Sequence, residues 1–276
     1  MTATLIRPAV VPVFPFSIFD PVHVGMDEYG DQANIELAEK NILVGGEPGG
    51  GKSVALNLLV AHAALSCDCR LILIDGKRVE LGPWRGCADT FVGPSIDDAI
   101  SAFRLEQAEM NDRYDMLLDL GLRKITRDTG HDARFIVIDE YAYFSATVGT
   151  KTQQGEFAAL SRDLVARGRA AAMPVALATQ RPSHQVIDPS LRDLFAYRWA
   201  FRCTTDSSSD VVIGHGWAGQ GYSAASIDPR ARGVSWLLAE TGVPRRVKTA
   251  NLSDLDIRDL AAYAASLRRK APRDDY

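Results

Sequence analysis

No stretch of this 276-residue chain approaches ~18 uninterrupted apolar residues, so no membrane-spanning helix is expected. Residues 8–19 are apolar, but Pro8, Pro12 and Pro15 interrupt them, which suits an extended lead-in better than a signal-peptide core. Cysteine is scarce. Among Cys67, Cys69, Cys87 and Cys203 there is one close pair, too tightly spaced for a zinc knuckle and lacking a second pair. Reduced thiols in a cytoplasmic protein are the expectation. The five histidines form no metal-ligand pattern. An excess of positive charge is also missing: 31 Lys and Arg face 35 Asp and Glu, for a net charge of −4. That excludes a broadly basic nucleic-acid binder, so any contact with DNA must come from local basic loops. Internal repeats are absent. What remains is an ordinary globular composition, 46% hydrophobic and 24% charged, with enough chain for one large α/β domain or two small ones.

One stretch organises the rest. Gly46-Glu47-Pro48-Gly49-Gly50-Gly51-Lys52-Ser53, followed by Val54, fits the phosphate-binding pattern G-x-x-x-x-G-K-[ST]. Before it, residues 41–45 form a short apolar run that reads as a buried strand. After it, residues 54–65 are rich in Ala and Leu and read as a helix. Glycines let backbone N–H groups turn toward phosphate oxygens, and the helix N-terminus adds a positive dipole end. Lys52 would reach the β- and γ-phosphates, and the Ser53 hydroxyl would hold Mg²⁺. A chance Gly-rich turn followed by Lys-Ser arises about once in a hundred chains of this length, and the correct flanks lower that further.

Other elements follow in order. Residues 23–27 and 32–37 flank Glu28-Tyr29-Gly30-Asp31 and read as a β-hairpin, placed where it could frame a nucleotide base. Residues 70–75 form a second buried strand whose end makes Asp75 and Lys77 candidates, unless Lys77 and Arg78 are merely solvated. Residues 96–120 carry one long helical stripe that Gly121 would cap. Residues 145–156 are polar, contain Lys151, and read as a mobile loop before a helix over 157–172. Residues 204–233 read as loops and short turns, 234–238 as the last strand, and 254–267 as a final helix with a frayed charged tail from Arg268 onward.

The second strong signal is residues 133–140, an apolar strand ending in Asp139-Glu140. This is the Walker B arrangement, with Asp139 holding Mg²⁺ directly or through water and Glu140 orienting and deprotonating the attacking water. Residues 174–180 form another strand, ending in Gln180, whose amide suits sensing of a γ-phosphate but is also a plain strand terminus. In residues 196–202, Arg198 and Arg202 share a strand face, and a free Arg facing a neighbouring subunit could act as an arginine finger.

Taken together these stretches resemble the motor domain of the FtsK/SpoIIIE DNA translocases. Residues 74–81, Ile-Asp-Gly-Lys-Arg-Val-Glu-Leu, are similar to the family's I-D-P-K-x-x-E-L, with Gly76 in place of Pro. Residues 109–114 and 120–123 are similar to E-M-x-x-R-Y and L-G-V-R, and 139–142 to D-E-F-A. Arg169-Ala170-Ala171, then Leu177-Ala178-Thr179-Gln180-Arg181-Pro182-Ser183, resembles the most diagnostic run, R-A-A…L-A-T-Q-R-P-S. The likeness covers roughly residues 20–240. It implies an α/β, RecA-like P-loop NTPase fold with a mostly parallel central sheet flanked by helices. It also implies a homo-hexameric ring, and ATP- and Mg²⁺-driven movement along double-stranded DNA. Lys52, Ser53, Asp139, Glu140 and Gln180 carry over as phosphate ligand, metal ligands, base and sensor. Arg198 carries over as the trans arginine finger, and the region of Lys151 as a DNA-touching pore loop.

The family's G-A-E-Q-L-L-G segment is distorted here to Gly216-Trp217-Ala218-Gly219-Gln220-Gly221. Membrane spans, a linker domain and a winged-helix domain are not recognisable. That build looks more like transfer proteins of actinomycete conjugative elements, with a lead-in over residues 1–40, a motor over 41–276 and a separate membrane-anchored partner. The rival readings are a protein-export motor like the type VII secretion ATPases and a non-catalytic nucleotide-binding scaffold.

Overall fold

A computed structural model describes residues 15–240 and 242–270 of the chain. The first fourteen residues of the expected lead-in and the last six of the tail lie outside that range. The strands are β1 (Val22–Asp27), β2 (Gln32–Ile35), β3 (Ile42–Gly45), β4 (Cys69–Asp75), β5 (Thr90–Val92), β6 (Ala133–Asp139), β7 (Val175–Thr179), β8 (Tyr197–Phe201), β9 (Val234–Leu238) and β10 (Arg245–Thr249). All join one sheet in the order β2-β1-β10-β9-β8-β3-β7-β6-β4-β5. From β8 to β5 neighbouring strands run parallel, whereas β9, β10, β1 and β2 extend the sheet antiparallel.

The helices are α1 (Lys52–Ala64), α2 (Ile96–Asp119), α3 (Lys151–Arg167), α4 (Pro189–Arg192), α5 (Asp206–Ile213) and α6 (Asp254–Lys270). They divide the core in two. On β4, Leu71 and Leu73 pack with Leu56 and Leu59 of α1 and Ala264 of α6. Ile72 and Ile74, on the opposite face of the same strand, pack with Phe103 of α2 and Phe157 and Leu164 of α3. Covering both faces is why the parallel strands read as unbroken apolar runs. None of the described helices is long and apolar enough to cross a membrane. Burial pushes the Cys69 and Cys203 thiols up to about 12, which keeps them protonated.

Local chemistry sets the helix ends. The Ser95 hydroxyl accepts from Asp98 N–H at 3.2 Å to start α2. Gly121, at φ 64, lets Leu122 N–H return to the Leu117 carbonyl at 2.9 Å and stop it. The expected loop over residues 145–156 is corrected: a π-turn fills Tyr143–Thr147 and α3 already begins at Lys151. The reason is a capping box, in which Thr150 and Gln153 bond each other's backbone N–H groups. Residues 204–233 are not loops throughout, because Thr205 caps α5 through Ser208 N–H at 3.1 Å. Nor is β9 the last strand. β10 pairs with both β9 and β1, its charged residues exposed and only Val247 and Thr249 buried.

Arg268 is not part of a frayed tail. It is only 6% exposed and donates to the carbonyls of Ala63, Ala64 and Cys69 at 2.9–3.0 Å, while its Nη1 pairs with Asp89 at 3.0 Å. This guanidinium caps the carboxyl end of α1 and fixes α6 against it. Arg268→Ala should cost about 3 kcal/mol or more, since it removes a charged donor from three carbonyls and breaks a buried charge pair. In a thermal melt that corresponds to a Tm lowered by roughly 6 °C or more.

Candidate functional site: a nucleotide cleft at the carboxyl edge of the sheet

The phosphate-loop sequence leaves β3 between β7 and β8, so both neighbours end beside it. Gly46 sits at φ 151 and a Cβ there would lie 2.7 Å from the Phe201 Cβ, so only glycine fits. Gly51 caps α1 at φ 116, and a Cβ there would meet the Gly233 Cα at 2.8 Å. The loop is tied down on both sides. Glu47 N–H donates to the Arg202 carbonyl at 2.9 Å, and Gly233 N–H donates to the Gly50 carbonyl at 2.9 Å. Arg202 also pairs its guanidinium with the Glu47 carboxylate at 3.0 Å.

A cleft of about 500 Å³ opens over this loop. Glu47, Pro48, Gly49, Gly51, Lys52, Ser53 and Val54 form its floor. Gln180 and Glu80 stand on the side of β7 and β4, and Arg232, Gly233 and residues 248–251 on the side of β9 and β10. The hairpin of β1 and β2 does not line it, which corrects its expected place at the base. The hairpin instead braces the far wall from behind, with β1 pairing β10 and Ala250 N–H donating to the Val24 carbonyl at 2.9 Å.

At the end of β6, Lys52 Nζ lies 2.8 Å from Asp139 Oδ1, with the two side chains 3% and 1% exposed. Asp139 Oδ2 is buried and has no hydrogen-bond partner among the described residues. An unpartnered carboxylate oxygen, with the Ser53 hydroxyl following Lys52 at the start of α1, offers oxygen donors suited to a hard cation, so the residues present fit Mg²⁺. Glu140 follows at φ 53, left-handed and unusual for a residue with a Cβ. Its carboxylate accepts from the Thr179 hydroxyl at 3.0 Å and from Gln180 N–H at 3.1 Å.

The remaining sequence candidates are scattered. Asp75 is fully buried, and its carboxylate accepts from the N–H groups of Lys77, Arg78 and Leu81 at 2.8–2.9 Å. It organises the loop that brings Glu80 to the cleft, and Lys77 stays exposed. Lys151 is the first residue of α3, bonded to Gln154 at 3.0 Å. Arg198 does not reach its own chain's cleft. It enters β8 beside Leu43, at the opposite end of the sheet from the phosphate loop, with Nη1 3.3 Å from the Ile213 carbonyl and 3.5 Å from Asp193. Burial lowers its pKa from the usual arginine value, and the Asp193 charge opposes that shift. Glu80, Arg232, Gly233 and residues 248–251 were missed as cleft residues, and no sequence signal pointed to them; Arg202 braces the loop through Glu47 without lining the cleft.

The family model for FtsK/SpoIIIE matches residues 12–215. The chain belongs to the FtsK/SpoIIIE family. Among curated relatives, the DNA translocase FtsK of Pseudomonas syringae pv. tomato is 27% identical over 85% of this chain, and that of Staphylococcus epidermidis is 26% identical over 93%. The chain spans about a third of the length of those FtsK proteins, 32% and 33% respectively. Among solved structures, the pCW3 conjugation coupling protein TcpA, a monomer form with ATPγS, superposes with a TM-score of 0.75 at 20% identity. That match covers 89% of this chain and 70% of TcpA. EssC of Geobacillus thermodenitrificans (ATPases 2 and 3) gives 0.76 at 13% identity, covering 95% of this chain and 52% of that one. These likenesses show the P-loop ATPase fold of the FtsK/SpoIIIE type.

Proposed function

We propose that this chain hydrolyses Mg²⁺-ATP to move double-stranded DNA, as a homo-hexameric motor serving conjugal transfer or a related DNA-movement task. The observation that carries the catalytic part is the meeting of Lys52, Asp139 and Glu140 at one end of one sheet. The DNA part is supported by the relatives' name, DNA translocase. In this reading residues 41–276 are the motor, residues 1–40 its lead-in, and a membrane-anchored partner holds the cytoplasmic ring at its place of work.

The loop N–H groups and Lys52 hold the phosphates, and Lys52 exchanges its Asp139 contact for them. Ser53 and Asp139 would hold Mg²⁺, which supplies charge neutralisation on the phosphate oxygens when bound. Glu140 orients a water for in-line attack and takes its proton. Gln180, on the cleft wall, senses the γ-phosphate. Arg198 of a neighbouring copy stabilises the charge that develops on the transferred phosphoryl group. Arg198→Ala should then leave ATP affinity near wild type and lower turnover at least about a thousandfold. Wild-type turnover in a ring of that variant would remove the finger role.

The reading is tested by ATP hydrolysis with and without long double-stranded DNA across a salt series. Stimulation that fades as salt rises is the expected result, because phosphate contacts release counterions. Turnover indifferent to DNA would favour a protein-export motor, the class to which the fold likeness to the type VII secretion ATPase EccC of Thermomonospora curvata draws attention. Bound ATP without turnover would favour a scaffold.

A further inference from the structure

We propose that Thr179 is a positioning residue for Glu140, setting the pose of the general base through its hydroxyl hydrogen. The inference rests on the ATP-hydrolysis reading and goes beyond the residues that reading employs. Thr179 ends β7, is fully buried, and is not among the residues that line the cleft. Its hydroxyl touches Glu140, and an effect on the chemistry would pass through that side chain.

The direction of its hydrogen bonds follows from donor chemistry alone. A hydroxyl has one hydrogen and two lone pairs. Arg181 N–H, 3.1 Å away, can only donate, so it occupies a lone pair of Thr179 Oγ1. Glu140 Oε1, 3.0 Å away, accepts when ionised, so it takes the single hydrogen. The rotor is thus fixed from behind by backbone and aimed at the carboxylate. Gln180 N–H adds contacts of 3.3 Å to Oε1 and 3.1 Å to Oε2, so two consecutive residues grip one carboxylate. This grip bears on a residue whose backbone is itself in the left-handed region, at φ 53. A conformation disfavoured for a side chain with a Cβ persists where the surroundings over-determine it. Here Thr179 and Gln180 are those surroundings. Oε2, which accepts from Gln180 N–H, has a further lone pair.

The test compares Thr179→Val, Thr179→Ala and Thr179→Ser in the full chain with double-stranded DNA present, alongside binding of a fluorescent ATP analogue and a thermal melt. Val keeps the shape and removes the hydroxyl, while Ser keeps the hydroxyl. The expected result is a kcat lowered roughly tenfold or more in Val and Ala, with KM for ATP and analogue affinity within about threefold of wild type. Ser should hold kcat within about threefold. Ala serves in place of Val if the melt shows that Val has lost its fold. Wild-type kcat in the hydroxyl-free variant overturns the proposal while leaving the hydrolysis reading intact. So does a Ser variant as slow as the others, or a loss that falls on KM and kcat alike, since both point to packing. A wild-type chain that binds the analogue but never turns over overturns the hydrolysis reading, and the proposal with it.

Discussion

Lys52→Ala should lower ATP turnover roughly a thousandfold or more, to the floor of a phosphate-release assay. The lysine is the one fixed cation on the cleft floor, and it is held ready: it is 3% exposed and 2.8 Å from Asp139. The same substitution has a second, independent signature. It leaves a carboxylate that is 1% exposed without its counter-charge. Breaking a buried pair from one side costs about 3–5 kcal/mol, so the nucleotide-free variant should also melt earlier. Adding Asp139→Asn should recover much of that stability and none of the turnover. A single variant with near-normal hydrolysis would sink the site assignment. A double variant that melts as early as the single one would remove the charge-pair explanation.

Glu140→Gln should bind ATP with near wild-type affinity and slow its hydrolysis by about two to four orders of magnitude. The amide keeps the length of the side chain and an oxygen to accept from Thr179 or Gln180, but it cannot take a proton. Single-turnover mixing separates the two effects, since nucleotide is captured and retained uncleaved. If the variant hydrolysed ATP at the wild-type rate, the base would have to be sought among the residues lining the cleft, with Glu80 the first alternative.

The parallel part of the sheet apart from β5 was legible because burial on both faces leaves little choice of residue, whereas β5 has only three residues, two of them half-buried. Ile72, Leu73, Ile136 and Val137 are all fully covered, and the strand runs containing them announce themselves. The phosphate loop was legible because its glycines answer to backbone geometry, as at Gly46 and Gly51. Of the antiparallel extension, β1, β2 and β9 were legible and β10 was not. In β10 the apolar signal shrinks to Val247, set among Arg245, Arg246 and Lys248, whose side chains stay exposed. The far wall of the cleft was hidden for the same reason: residues 248–251 reach it through the placement of β10, which no local motif encodes. Lys151 shows a subtler failure. Polar composition suggested a loop, while Thr150 and Gln153 carried a helix-start signal in the same few residues. Arg268 was read as tail because charge near a helix end is usually solvated, and its burial depends on the carbonyls it meets at the end of α1.

That last contact bears on how the protein is made. The bonds from Arg268 to Ala64 and Ala63 join positions 204 and 205 residues apart in the chain. Synthesis therefore delivers the phosphate loop and its helix long before the group that caps the helix. β10, which closes the far wall, is likewise made long after the loop it faces. Closing contacts of that span is entropically costly and slow, so the early chain gains little from forming them piecemeal. A ribosome-bound fragment that stops before β10 would hold the binding motif without a finished cleft. Nucleotide capture is then expected late in synthesis, once β10 and the residues after it have left the ribosome.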